Sequence, residues 1–260
     1  MKERPFEDGS AGDVDYGEIG ANYADYRRPD PRIADRIIRA LGDARTILNV
    51  GAGAGSYEPR DREVTAVEPS ATMRAQRPHD LPPAIDAVAE ALPFPDDSFD
   101  AVMASSTVHQ WSDLASGIAE LKRVSRGPVV LTVSDPDRLH DFWLADYFPE
   151  PLDVERTRFP TIERLVQLLG PGTRVEQLPI PLDCTDGFTE AYYGRPERLL
   201  DPGVQRAMSS WTLVAPALVR RFEERLSADL ASGAWDVRYG HLRTQPEYDG
   251  SLRLIVHSSS

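Results

Sequence analysis

The stretch "TILNVGAGAGSYEP", residues 46–59, constrains the fold of this chain more than any other. An apolar, β-branched run ends in three glycines at alternate positions, Gly51, Gly53 and Gly55, ahead of a segment able to open a helix. Strand, glycine turn and helix bring backbone N–H groups and a helix N-terminus to the carboxyl edge of a parallel sheet, where doubly wound proteins bind nucleotides. Glycines alone are also compatible with a plain tight turn. The acid at the end of the next strand argues for a ligand. Glu68 closes "VTAVE" thirteen residues beyond Gly55, which sets its carboxylate beside the turn and within reach of both hydroxyls of a ribose.

The strand theme recurs in "EVTAVEP" at 63–69, "FDAVMAS" at 99–105 and "GPVVLTVS" at 127–134. Between these strands "SATMRAQR" and "LASGIAELKRVS" read as helices, the second with Leu114, Ile118, Leu121 and Val124 on one face. Strands that are apolar throughout and alternate with helices predict an α/β, doubly wound sheet covered on both faces. Upstream, "YGEIGANYADYRRPDPRIADRIIRALG" reads as two helices broken at Pro29 and Pro31. Downstream of Ser134 the alternation stops. "TIERLVQLLG" reads as a helix, "TRVEQLPIPLD" as a strand, "APALVRRFEERLSADLASG" as a long helix ending at Gly233, and "SLRLIVHS" as a last strand. The segmentation that results is an N-terminal lid over 1–30, a cofactor-binding core over 31–134, a helical cap over 135–232 with one core strand near 173–183, and a closing strand region over 233–260.

Charge and cysteine content narrow the partners. Forty-two Asp and Glu against 29 Lys and Arg leave a net charge of −13, which repels phosphate backbones and anionic bilayers, so neither nucleic acid nor membrane is expected. Cys184 is the single cysteine, so intramolecular disulfides and thiolate metal clusters are excluded, and a reducing, cytoplasmic setting is expected. No cluster of His, Asp or Glu has metal-ligand spacing.

Spacing also separates cofactors. The dinucleotide pattern G-x-G-x-x-G needs its last glycine at position 56, which is Ser56, so the fit to a nicotinamide dinucleotide is poor. G-x-G-x-G suits a ligand without phosphates, whose amino acid portion crosses the turn while its ribose meets Glu68. Here the chain resembles the class I S-adenosylmethionine-dependent methyltransferases. "ILNVGAGAGSY" is similar to their first motif, "VTAVEPSATM" to their second-strand motif, and "AEALPFPDDSFDAVMASSTVHQW" to the adenine loop and following strand of the type 11 branch, which includes ubiquinone-biosynthesis and trans-aconitate methyltransferases. Together the matches span residues 16–134.

The resemblance implies a seven-stranded, mostly parallel Rossmann-like methyltransferase fold with a helical cap inserted in the C-terminal half. It implies S-adenosyl-L-methionine as cofactor, S-adenosyl-L-homocysteine as product, and a cofactor site built from Gly51, Gly53, Gly55, Glu68, Met73, Ala89, Glu90 and Ser105, with Tyr23 and Arg27 from the N-terminal lid; Arg28 is an alternative to Arg27. Met73 also reads as helix core, and Glu90 as a solvated acid. Asn49 departs from the family's usual Asp or Glu and is expected to weaken attraction for the cofactor's ammonium. His109, in "SSTVHQW", is the first candidate for a base and His140, in "DPDRLHDFW", the second; each also reads as a structural histidine. Phe142, Trp143, Phe159, Phe188, Tyr192, Tyr193 and Trp211 in the cap point to a small apolar or aromatic acceptor, methylated on O, N or C, although individually such rings read as packing. Two alternatives are a methyltransferase fold that holds the cofactor passively, in a cyclase or binding role, and a nicotinamide oxidoreductase.

Overall fold

The computed structural model describes residues 5–12 and 23–258. Its centre is a six-stranded sheet of β1 (Thr46–Val50), β2 (Glu63–Val67), β3 (Ala101–Ser105), β4 (Val129–Ser134), β5 (Thr173–Gln177) and β8 (Leu252–His257), in the order β2-β1-β3-β4-β8-β5. β2, β1, β3 and β4 are parallel, and β8 runs against both β4 and β5. Among the described residues the sheet has six strands where seven are expected, and beyond β2 stands a parallel bridge between Val67 and Ile85. Pro82 and Pro83 precede Ile85 and cannot donate to a ladder, which stops the pairing from lengthening.

Two further expectations are corrected. The chain after the glycines makes consecutive turns instead of a helix, because only seven residues separate Gly55 from β2 and Pro59 stands among them. The single strand expected over 173–183 splits into β5 and a short β6 (Ile180–Pro181), which leaves the main sheet to pair with β7 (Glu247–Tyr248). Pro179 and Pro181 remove the N–H groups a continuous ladder requires.

Successive strand residues point to opposite faces, so the sheet divides two apolar layers. Ile47, Met103, Val130 and Leu254 face one side, with Ile33 and Ile37 of α2 (Pro31–Ala40); α1 is the turn Tyr23–Tyr26. Leu48, Val102, Leu131 and Ile255 face the other, with Ile118 and Leu121 of α4 (Leu114–Val124) and Leu165 and Leu169 of α6 (Ile162–Leu169); α3 is Ala71–Ala75 and α5 is Glu150–Arg158. The helical region that joins α2 on the first face carries the aromatic residues. Phe142, Trp143, Tyr192, Tyr193 and Trp211 are each at most 5% exposed, Trp143 donates its indole N–H to the Tyr193 carbonyl at 2.9 Å, and Phe148 stacks on Phe222 at 5.0 Å. These rings pack the cap onto the sheet. Among the described residues no helix is long and apolar enough to cross a membrane.

Candidate active site

Val50 pairs with Val67, so the turn after β1 and the acid after β2 emerge side by side. Gly51 and Ala52 both donate their N–H to the Val67 carbonyl at 2.9 Å, which folds the turn back over the end of β2. Gly51 and Gly53 have φ of +68° and +51°, in the left-handed region open to glycine, and a Cβ at Gly51 would fall 2.1 Å from the Thr107 hydroxyl. Glu68 is 7% exposed. Its Oε2 accepts from Gly53 N and its Oε1 from Ser70 N, both at 2.8 Å. Burial pushes the Glu68 carboxyl above its ordinary range, while the two N–H donors and the Arg74 charge pull it back.

A cavity lies over this turn. Gly51, Gly53, Glu68, Met73, Ala89, Glu90, Ser105 and Arg27 all line it. Glu90 is also held from behind, its Oε1 accepting from the Ser112 hydroxyl at 2.9 Å and from Asp113 N at 3.1 Å. Arg28 is exposed, and the side chain of Tyr23 lies outside the described residues. Gly55 faces away from the cavity; a Cβ there would meet Leu81 Cδ1 at 2.3 Å and Arg77 at 3.3 Å. Asn49 does not line the cavity either. It lies beneath the turn, donating its amide to Glu58 Oε1 at 2.9 Å, and Glu58 in turn accepts two bonds from Arg77, both at 2.9 Å. The Asn49 amide anchors a buried ion pair, Glu58 and Arg77 having 0% and 3% side-chain exposure, so position 49 stands behind the turn and not in the cavity lining. Ser10, Ala11 and Gly12 cover the cavity from the N-terminal side, with Asp8 accepting from the Ser70 hydroxyl at 2.5 Å.

A second cavity adjoins the first, and Arg27, Tyr57, Ser106 and Asp186 line both. Asp186 binds this shared wall together: Arg27 Nε donates to its Oδ1 at 2.6 Å and the Tyr57 hydroxyl to its Oδ2 at 2.8 Å. Burial, reinforced by the Asp186 charge, holds the Tyr57 phenol well above its usual range. His109 lines the second cavity from the turn Val108–Gln110, its ring 4.4 Å from that of Phe159. His140 does not. It is 41% exposed and its Nε2 lies 3.0 Å from Asp153 Oδ1, so the strand-following position does not turn it inward. Of the cap aromatics only Phe159 and Phe188 reach this cavity.

Several lining residues carried no sequence signal. Asp186 meets Arg27 and Tyr57 across 159 and 129 residues. Glu155, Arg158 and Glu190 enter the second cavity from the cap, where their spacing matches no motif. Burial raises the carboxyls of Glu155 and Glu190, the latter to about 7. Tyr57, two residues after the third glycine, is the one whose position offers a signal in the sequence.

The first cavity fits a nucleoside carrying an amino acid: an open glycine turn, a buried carboxylate at the strand end that takes donors, and an apolar flank at Met73 and Ala89. A methyltransferase domain family matches residues 48–131. The malonyl-[acyl-carrier protein] O-methyltransferase of Halorhodospira halophila is 32% identical, covering 86% of each chain. A putative methyltransferase from an antibiotic biosynthesis pathway of Anabaena variabilis superposes with a TM-score of 0.83 at 32% identity, over 90% of this chain and 99% of that one. A SAM-dependent methyltransferase of Thermotoga maritima, 15% identical, shares the fold with a TM-score of 0.55 over 94% of this chain and 96% of that one.

Proposed function

The chain belongs to the S-adenosylmethionine-dependent methyltransferases, and from that premise we propose that it methylates O, N or C of a small molecule seated in the second cavity. S-adenosylmethionine supplies a methyl group on a positively charged sulfur, already activated toward an in-line nucleophile, so the protein's work is placement and, for some acceptors, removal of a proton. In this reading Glu68 accepts from the ribose hydroxyls, the Gly51–Gly53 backbone lets the amino acid portion pass, Met73 and Ala89 flank the base, and Arg27 offers its guanidinium at the junction. His109 holds the acceptor or takes its proton.

The observation that carries the proposal is the wall shared by the two cavities at Arg27, Tyr57, Ser106 and Asp186, which sets a ligand in one against a ligand in the other. Ile33, Leu139, Leu152, Phe159, Phe188 and Met208 give the second cavity an apolar side suited to an apolar or aromatic body. Methyl ester formation on a carboxylate, the reaction for which the Halorhodospira relative is named, is the second reading, favoured by Arg27 and Arg158 in the same lining. Incubation with S-adenosylmethionine and matched panels of aromatic alcohols, amines and carboxylic acids, read by mass spectrometry, tests both. Cofactor binding with no methylated product from any panel would point to the passive role.

A further inference from the structure

The second cavity contains a carboxylate that neither reading uses. Glu190, in the turn Thr189–Tyr192, is 3% exposed and lines this cavity and not the first. Its oxygens accept from Ser251 N at 2.9 and 3.1 Å and from the Ser251 hydroxyl at 2.5 Å. Gly250 makes this approach possible, since a Cβ there would lie 2.6 Å from Glu190 Oε1. Thr132 lines the same cavity, is 3% exposed, and its hydroxyl has no partner among the described residues.

Among the described residues, carboxylates outnumber the cations around Glu190. Arg27 is matched by Asp186 at 2.6 Å, and the Glu155 carboxylate interacts with Arg158 and Arg27. The cation that acts on Glu190 is Arg253, which also lies 3.8 Å from both Asp135 and Asp249. One guanidinium is thus shared among three carboxylates, and Glu155 adds its own negative field. A buried carboxylate in excess of its cations retains a proton or takes a cationic ligand.

We propose that the Glu190 end of the second cavity is a subsite for a protonated amine, so that the acceptor carries an ammonium group on its apolar or aromatic body. The proposal rests on the assignment of the second cavity to the acceptor. An ammonium has three donors and no acceptor, which suits the Glu190 carboxylate and the unpartnered Thr132 hydroxyl, whereas a carboxylate would repel Glu190. Burial and the Glu155 charge, opposed by the Ser251 donors and by Arg253, push the Glu190 carboxyl up to about 7, so near neutrality binding of the cation displaces a proton.

The test uses the full chain with ¹³C-methyl methionine, saturated with S-adenosylhomocysteine, and three probes of one skeleton: 2-phenylethylamine, 2-phenylethanol and 3-phenylpropionate. Met73 reports the first cavity and Met208 the second. The amine is expected to shift Met208, to bind at least tenfold more tightly than either other probe, and to lose that preference in Glu190→Gln. Tighter binding of 3-phenylpropionate, an amine that leaves Met208 unmoved, or a preference that survives Glu190→Gln overturns the proposal. Should the variant fail to hold S-adenosylhomocysteine, the wild-type ranking and the Met208 shift decide alone. If S-adenosylhomocysteine itself does not move Met73, the function proposal fails first; if it does and the amine does not bind, only the amine subsite is lost.

Discussion

Replacing Glu68 by Ala removes two things at once, and the structure separates their magnitudes. Without ligand, Glu68 accepts from Gly53 N and Ser70 N, and the Ser70 bond is buried while the Gly53 N–H borders the cavity and can turn to water. An orphaned buried donor costs roughly 1 to 3 kcal/mol, so the ligand-free protein should lose about 1 to 3 kcal/mol, less whatever is recovered from no longer burying the acid. At about 2 °C per kcal/mol for a chain of this size, Tm should fall by about 2 to 6 °C, well short of unfolding. The ribose contacts add a further loss of about 1.5 to 3 kcal/mol in cofactor affinity, a factor of roughly 10 to 100. A distorted turn alone would also weaken binding, so calorimetry on S-adenosylhomocysteine is paired with its 2′-deoxy analogue. Wild-type protein should prefer the intact ribose by about fivefold or more, and Glu68→Ala should bind both alike. A preference that persists in the variant would refute the ribose role and leave Glu68 as a strut of the glycine turn.

Arg77→Met strands the Glu58 carboxylate at 0% side-chain exposure, and breaking such a pair costs about 3 to 5 kcal/mol; urea unfolding with a loss under about 1 kcal/mol would show that the ion pair contributes little. Gly53→Val forces a β-branched residue into φ +51°, and should erase the thermal-shift increment given by S-adenosylhomocysteine while lowering the ligand-free Tm far less. With an acceptor in hand, His109→Ala should lower kcat by roughly 10²-fold with cofactor affinity within a few fold, and His140→Ala, whose side chain pairs with Asp153 at the surface, should match wild type. The folded Glu190 carboxyl, at about 7, lies above its ordinary 4.5, so the unfolded chain releases that proton first and stability falls as pH rises from about 4.5 to 7. The drop is about 3 kcal/mol at ~1.4 kcal/mol per pH unit; urea midpoints at pH 5 and 7.5 should converge in Glu190→Gln, with Glu68 and Glu155 retaining part of the slope because burial raises them too.

Local chemistry was legible in the sequence, and distant pairing was not. The apolar runs at 46–50, 101–105 and 129–134 announced a parallel sheet because strands buried on both faces must be apolar at every position. The glycines and Glu68 announced a nucleoside-type site because the parallel pairing of β1 with β2 sets their ends side by side whatever the rest of the chain does. The same reasoning overreached where proline intervened, at Pro59 after the glycines and at Pro179 and Pro181 in the split strand, since a pattern of apolar residues does not report a missing N–H; the seventh strand came from the resemblance alone. It ranked His109 ahead of His140, but both follow strands, and it is packing against Phe159 or pairing with Asp153 that sets one inward and the other outward. The second cavity belongs wholly to the tertiary structure. Arg27, Tyr57 and Asp186, and likewise Glu190 and Ser251, meet across 61 to 159 residues, and no periodicity extends that far. A turn records its ligand in neighbouring residues, whereas a cavity between a sheet and a cap exists only once both have folded onto one core.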